Sequence, residues 1–327
     1  MDSTQESEHN VFQKRFDARG QALTSDPIQV STFEGFPRST PKVTALLDGG
    51  WLVTWTSDLN PDVGGAVVYQ QRYDRDGHAQ FTKDGKAEER LVSVDNGQNS
   101  NASASALPDG GWIVIWQSNR YNDNGTDIYL QRYDSNGNPL FPNEGTLVGR
   151  QVNPDASNGE LPSVTTLTDG GWVVTWRTYD PSTGDDIFQR HFDPDGEPGS
   201  TSRVNATLNG DQSDSRVVAL SKGGWLVTWL DQDPENTDNW DLYQQAYDAQ
   251  GRPRFQTDAK AEAPTISSDS PYSVAGLNDG GWVFTWTGPG SPAVLRSTSS
   301  ATAPAGAPSG QQPLSTQLHS VSRKTHS

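Results

Sequence analysis

The sequence predicts an all-β protein, a five-bladed β-propeller of four-stranded antiparallel blades, and three observations predict it. An eight-residue motif recurs five times, as DGGWLVTW (48–55), DGGWIVIW (109–116), DGGWVVTW (169–176), KGGWLVTW (222–229) and DGGWVFTW (279–286). A second motif recurs in phase with it, as VFQKRFD (11–17), VYQQRYD (68–74), IYLQRYD (128–134), IFQRHFD (187–193) and LYQQAYD (242–248). Both motifs have the period of two that marks an extended strand. Repeats 53–61 residues apart are supersecondary units that cannot bury their apolar faces alone and must stack.

Each unit reads as four strands, A to D. Strand A precedes the Gly-Gly pair: KVTALL, SASAL, SVTTL, RVVAL and YSVAGL. Asp-Gly-Gly then makes a tight hairpin, because paired glycines reach the positive φ angles such turns require. Strand B is the Trp motif. In its first copy Trp51, Val53 and Trp55 share one side and Leu52 and Thr54 the other. Both sides are apolar or β-branched, so neighbours should cover both faces. Strand C is the second motif, ended by an Asp-x-x-Gly turn in which Asp caps backbone amides. Strand D is weaker: PIQVS, RLVSV, RQVN, SRVN and APTIS (263–267). Arg15, Arg72 and Arg132 of strand C are expected to lie over Trp faces of the adjacent strand, as cation–π partners. His191 and Ala246, at the same position, read as drift of the repeat.

The chain runs C-D, then A-B-C-D four times, then A-B. If A starts a blade, strands A and B near 272–287 combine with C and D near 11–31. The last blade is then closed two-plus-two by the chain's two ends, leaving no open edge. The expected organisation is a disordered leader (1–10), the propeller (11–287) and a disordered Ser/Pro/Ala-rich tail (288–327).

Ten of the eleven Trp residues lie in the B motifs, which compensates for a hydrophobic content of only 32%. The absence of Cys excludes disulfides and thiolate metal sites. No run of 18 apolar residues occurs, so no membrane insertion by a helix is expected. The opening MDSTQESEHN has no basic-then-apolar signal pattern, so an export route without an N-terminal signal peptide is expected. The net charge is −17, and the tail carries +3, which leaves −20 on the remainder. That charge repels phosphates and argues against a nucleic-acid partner.

The acids concentrate in the B–C loops, which this arrangement places on one face of the disc. Asp58 and Asp62, Asp123 and Asp127, Asp180 and Asp185, and Asp233 and Asp238 supply oxygen ligands of the kind Ca²⁺ takes. Asp in such loops equally favours solvated turns for local reasons. Tyr121, Tyr179 and Trp240 stand among these acids. An apolar ring beside carboxylates and amides suits sugar recognition; packing on neighbouring blades is the other reading. Paired carboxylates are also what a glycosidase uses. The five histidines are scattered, and no nucleophilic constellation stands out.

The D-G-G-W-V-V-T-W and I-Y-x-Q-R-Y-D-x-x-G repeats, over nearly all of 11–287, resemble those of large secreted bacterial RTX-type and adhesin-like surface proteins. The resemblance implies a secreted or surface, non-catalytic binding module, adhesin- or lectin-like. Its expected partner is a glycan or a cell-surface protein, bound through the acidic, aromatic-bearing face, with Ca²⁺ and as a monomer. The G-G-x-G-x-D nonapeptides that usually carry Ca²⁺ in such proteins are absent. The alternatives are a glycan-cleaving hydrolase on a five-bladed propeller, or a purely structural repeat module.

Overall fold

A computed structural model describes residues 9–32, 37–60, 65–93, 97–119, 125–141, 149–153, 158–208, 210–261 and 271–287. Among them there is no helix. The chain opens on β1 (Phe12–Gln13) and β2 (Ile28–Gln29), which pair with each other. Next come β3 (Arg38–Ala45), β4 (Trp51–Asn60), β5 (Gly65–Tyr73), the small hairpin β6 (Thr82–Lys83) and β7 (Lys86–Ala87), and β8 (Arg90–Leu91). The second blade holds β9 (Asn99–Ala106), β10 (Trp112–Ser118), β11 (Asp127–Tyr133) and β12 (Arg150–Gln151). The third holds β13 (Glu160–Thr166), β14 (Trp172–Asp180), β15 (Gly184–Phe192) and β16 (Pro198–Arg203). The fourth holds β17 (Gln212–Ala219), β18 (Trp225–Gln232), β19 (Trp240–Tyr247) and β20 (Ala259–Lys260). β21 (Tyr272–Gly276) and β22 (Trp282–Trp286) end the chain's described part.

Four antiparallel sheets of order β3-β4-β5-β8, β9-β10-β11-β12, β13-β14-β15-β16 and β17-β18-β19-β20 are the A-B-C-D blades expected. The fold is a β-propeller. The fourth D strand falls at 259–260, four residues before the expected APTIS, which itself lies outside the described residues. Residues 1–8 of the expected leader lie outside the described residues; of its last two, the His9 carbonyl accepts from Arg38 N at 3.1 Å and Asn10 Oδ1 from Arg38 Nη1 at 3.0 Å. The tail 288–327 also lies outside the described residues.

The repeated residues have repeated jobs. Within a blade, the first Trp of B pairs with the last aromatic of C and stacks on it: Trp51–Tyr73, Trp112–Tyr133, Trp172–Phe192 and Trp225–Tyr247, at 5.1–5.5 Å. The second Trp stacks on the first aromatic of C in the same way, as in Trp116–Tyr129. Such pairs contribute about 0.5–1.5 kcal/mol each beyond area burial. Between blades, the first Trp donates Nε1 to a Gln on strand C of the preceding blade: Trp112 to Gln70 at 3.0 Å and Trp225 to Gln189 at 2.8 Å. Leu130 takes that Gln position ahead of Trp172, whose buried Nε1 has no partner.

The Arg–Trp contacts form, but across blades instead of on the adjacent strand. Arg15 lies over Trp51, Arg72 over Trp112 and Arg132 over Trp172, at 5.5–5.6 Å. His191 is more than drift, since its ring stacks on Trp225 at 5.8 Å with an interplanar angle of 5°. A residue just after strand D adds a clamp: Ser31 Oγ, Ser93 Oγ, Asn153 Oδ1 and Asn205 Oδ1 accept from the backbone N–H of the first C-motif residue, at Val11, Val68, Ile128 and Ile187.

The A–B turn explains both glycines. Gly110 has φ +86°, where an L side chain is strained, while a Cβ on Gly111 would meet the Tyr133 carbonyl at 2.1 Å. The repeat also carries a β-bulge in strand A, at register breaks in β3, β13 and β17 and opposite Ile115/Gln117 in β9. Thr40, Asn101, Leu161 and Asp214 all hold positive φ there, between 45° and 52°. Bulges bend a strand and re-aim its side chains.

The expected pairing of the chain's ends is not formed. β1–β2 and β21–β22 are separate two-stranded sheets, and neither β1 nor β22 is hydrogen-bonded to the other. Among the described residues, each therefore keeps an open edge.

Candidate functional site

The residues expected to bind have different fates. Tyr121, Asp62 and Asp123 lie outside the described residues. Trp240 is a correction: it is only 8% exposed and packs with Leu230, Leu242 and Tyr272. Strand β19 begins at Trp240, so the ring joins the sheet's core face instead of a loop. Asp127 is buried and accepts from Asn153 Nδ2 at 2.8 Å. Asp58 is exposed and accepts from Ser39 Oγ at 3.1 Å. Asp180 caps the amide of Ser182 and Asp233 that of Glu235, at 2.8 and 2.9 Å. Asp238 is exposed in the same turn as Asp233, and its amide donates to Asn236 Oδ1 at 3.3 Å. Among the described residues, no group of three His, Cys, Asp or Glu side chains could hold a metal ion.

Tyr179 and Asp185 come together, and two residues that the motifs did not single out join them. Strands β14 and β15 pair out to the end of their hairpin, which sets Tyr179 directly opposite Asp185. Two residues earlier on β14, and so on the same side of the strand, stands Arg177, opposite Glu160 at the start of β13. Arg177 Nη1 reaches Asp185 Oδ2 at 3.1 Å, and its Nη2 bonds Glu160 Oε2. Tyr179 is 60% exposed beside this group. The blade-three hairpin thus ends in an open phenol ring, one guanidinium and two carboxylates on a single face.

Blade four closes the far side. Asp211 Oδ1 accepts from the Asp185 amide at 3.1 Å. A side chain on Gly184, whose φ is +92°, would meet that oxygen at 2.6 Å, so only glycine lets Asp211 approach. Burial pushes the Asp185 carboxyl up, Arg177 pulls it down, and Asp211, Glu160 and Asp186 push it up again, with a net rise. Asp186, on the other side of β15, is buried and held by Asn205 Nδ2 at 2.6 Å and Thr183 Oγ1 at 2.9 Å.

A signal for this site is present in the repeat once the blades are aligned by register. Glu160 stands where the other blades have Ser39, Ser100 and Ser213, and Arg177 where they have Thr56, Gln117 and Leu230. Asp185 occupies the position of Ala66, Thr126 and Trp240, two before the first apolar residue of the C motif. The departures from the repeat cluster in one blade and touch one another.

No protein-family model matches the chain, and a search of curated proteins finds no match. Solved structures do match in fold. One is the polysaccharide lyase Uly1, at TM-score 0.50 and 10% identity, covering 83% of this chain and 60% of that one. Another is the Hadza microbial sialidase Hz136, at TM-score 0.48 and 9% identity, covering 82% and 58%. A third is the Penicillium chrysogenum α-L-arabinanase complexed with arabinobiose, at TM-score 0.46 and 13% identity, covering 76% and 74%. The chain spans less than two thirds of the lyase and sialidase chains. At 10% identity, the likeness to the lyase shows a shared fold alone.

Proposed function

We propose that this protein is a glycan-directed propeller whose recognition site is the blade-three hairpin end formed by Glu160, Arg177, Tyr179 and Asp185. The observation that carries this reading is the joint departure of Glu160, Arg177 and Asp185 from the repeat, in mutual contact beside an open aromatic ring. A sugar has an apolar face that stacks on such a ring, while its hydroxyls bond to carboxylate and guanidinium groups. The architecture shared with a polysaccharide lyase is compatible with that class of ligand.

The test is a glycan array and titration with soluble polysaccharides, comparing the parent chain with Tyr179→Ala and Arg177→Ala. Binding weakened at least tenfold by Tyr179→Ala, at an unchanged melting temperature, is the expected result. Full binding by both variants overturns the site.

A second reading, cleavage of the bound glycan, has an observation in its favour. Asp185, with its carboxyl pushed up by burial, and Glu160 are both held by the one Arg177 guanidinium. A carboxyl whose hold on its proton is strengthened, beside a second carboxylate, is the arrangement general acid–base chemistry uses. Release of reducing ends or unsaturated products, abolished by Glu160→Gln and by Asp185→Asn, supports this reading. Binding without any product leaves the protein a lectin. An adhesin-like role at a cell surface, with Ca²⁺, belongs to the same proposal and rests on the repeat's resemblance alone.

A further inference from the structure

Strands β3, β9, β13, β17 and β21 each form one edge of their sheet and succeed one another around the propeller's central channel. Their side chains reach the next blade. Thr44 Oγ1 donates to the Ala104 carbonyl at 3.3 Å, and Ser105 Oγ and Ser163 Oγ accept from Thr166 N and Val217 N at 3.0 and 3.2 Å. Strand register aligns one position in all five. Lys42 stands opposite Thr54, Ser103 opposite Ile115, Ser163 opposite Thr175, Arg216 opposite Thr228 and Ser273 opposite Thr285. At this level the inner strands carry three serines and two cations. Serine is the repeat's residue here, and Lys42 and Arg216 depart from it.

The fold alone does not explain the two cations. Strands β3 and β17 belong to the first and fourth complete blades, with two blades between them, yet Lys42 lies in the field of Arg216. Although Lys42 is exposed as a residue, the wall around it desolvates its amine, which lowers it; Arg216 lowers it further and Asp214 draws it part of the way back. Arg216 Nη2 bonds Asp214 Oδ2 at 3.1 Å, and the guanidinium lies over the Tyr272 ring at 4.5 Å, but Nε is buried without a partner. Among the described residues, no carboxylate lies within ion-pair distance of Lys42. Two cations therefore share one carboxylate, with an N–H donor of Arg216 left over. Ser163 Oγ accepts from Val217 N, which leaves its own proton to donate. Like charges held together in a partly desolvated place raise each other's energy, and an anion between them removes that cost.

We propose that this level of the channel binds an oxyanion, carried as the carboxylate or sulfate ester of an acidic sugar. Lys42 and Arg216 supply charge-assisted hydrogen bonds, and the Ser103 and Ser163 hydroxyls supply neutral ones. That the bearer is a sugar rests on the glycan reading above; the cation pair itself does not. The rest of a chain with net charge −17 repels anions, so an acidic group is directed to this one position.

Isothermal titration of the full chain with oligogalacturonate, a sulfated galacto-oligosaccharide and a neutral galacto-oligosaccharide of equal length tests the proposal. An acidic oligomer should bind at least about tenfold more tightly than the neutral one, and added salt should shrink the preference. The tighter of the two acidic oligomers tells carboxylate from sulfate. Lys42→Gln should abolish the preference, Lys42→Arg should keep it, and Lys86→Gln, on the exposed β6–β7 hairpin, should leave it unchanged. Equal binding of neutral and acidic oligomers, or a preference that survives Lys42→Gln, overturns the channel site and leaves the glycan reading standing. If no oligomer binds, the glycan reading falls, and inorganic sulfate decides the oxyanion site by itself. A gain in melting temperature with sulfate over chloride at matched ionic strength, larger in the parent than in Lys42→Gln, supports the site; an equal gain in both overturns it.

Discussion

Replacing Asp231 by Asn should remove a pH-dependent weakness from the fourth blade. Asp231 is 6% exposed, with Gln212 and Asp241 directly opposite on its two neighbouring strands. Lys260 is committed to Asp241 at 2.6 Å, and Asp231 Oδ2 has no hydrogen-bond partner. Burial, and then the field of Asp258, push the Asp231 carboxyl up to about 7, against the pull of the Trp229 indole and Gln212. Unfolded, the same group titrates near the ordinary 3.8. Between these values the folded chain holds a proton that the unfolded chain has released, so stability falls as pH rises from about 4 to about 7. At 1.36 kcal/mol per pKa unit, the loss is on the order of 4 kcal/mol once the pH is above 7. Asn cannot ionise, so the variant should match the parent near pH 4 and exceed it by that order at pH 8. At about 2 °C per kcal/mol for a chain of this size, the melting temperatures should diverge by roughly 8 °C. Thermal melts of both proteins across pH 4–8.5 measure the difference directly. Parallel profiles, with a constant offset, would refute the burial argument.

Two further outcomes follow from the packing. Gly111→Ala should cost at least about 2–3 kcal/mol, because its Cβ would press into the Tyr133 carbonyl, whereas Gly20→Ala meets no atom within 4 Å and should cost only about 1 kcal/mol for its positive φ; equal shifts in melting temperature would show that the turn relaxes freely. Trp240→Ala and Trp112→Ala should each destabilise by about 3–5 kcal/mol, since both rings are buried; a near-neutral Trp240 variant in urea unfolding would return that ring to the surface.

The strands and turns were legible because their determinants are local. The spacing of Trp51, Val53 and Trp55 sets a strand face, and Asp-Gly-Gly sets a turn. The D strands were less legible: β12 and β20 are two residues long, so their position depends on the C strand beside them. APTIS was the more β-like segment, but Ala261 already bonds the Leu242 carbonyl at 2.8 Å, as Val92 bonds Val68. His191 looked like drift because its role, a ring on Trp225, lies in the next blade. Trp240 looked like a loop residue because Asp238, Asn239 and Asp241 flank it. Its burial comes from Tyr272, thirty-two residues onward.

What the sequence determined by itself is the blade: four antiparallel strands, their order, their paired aromatics and their glycine turns. All of these join residues at fixed offsets within one repeat, so a repeated motif specifies them repeatedly. Tertiary structure decided what depends on positions far apart in the chain. Glu160, Arg177, Asp185 and Asp211 become one site only when the A, B and C strands of a blade align and the next blade arrives beside them. The orphaned indole of Trp172 arises the same way, because the residue that fails it, Leu130, belongs to the blade before. Within a blade, backbone hydrogen bonds impose the geometry that the motif encodes. Between blades, side chains carry the repeated contacts, and a single departure from the repeat is enough to change what two surfaces do when they meet.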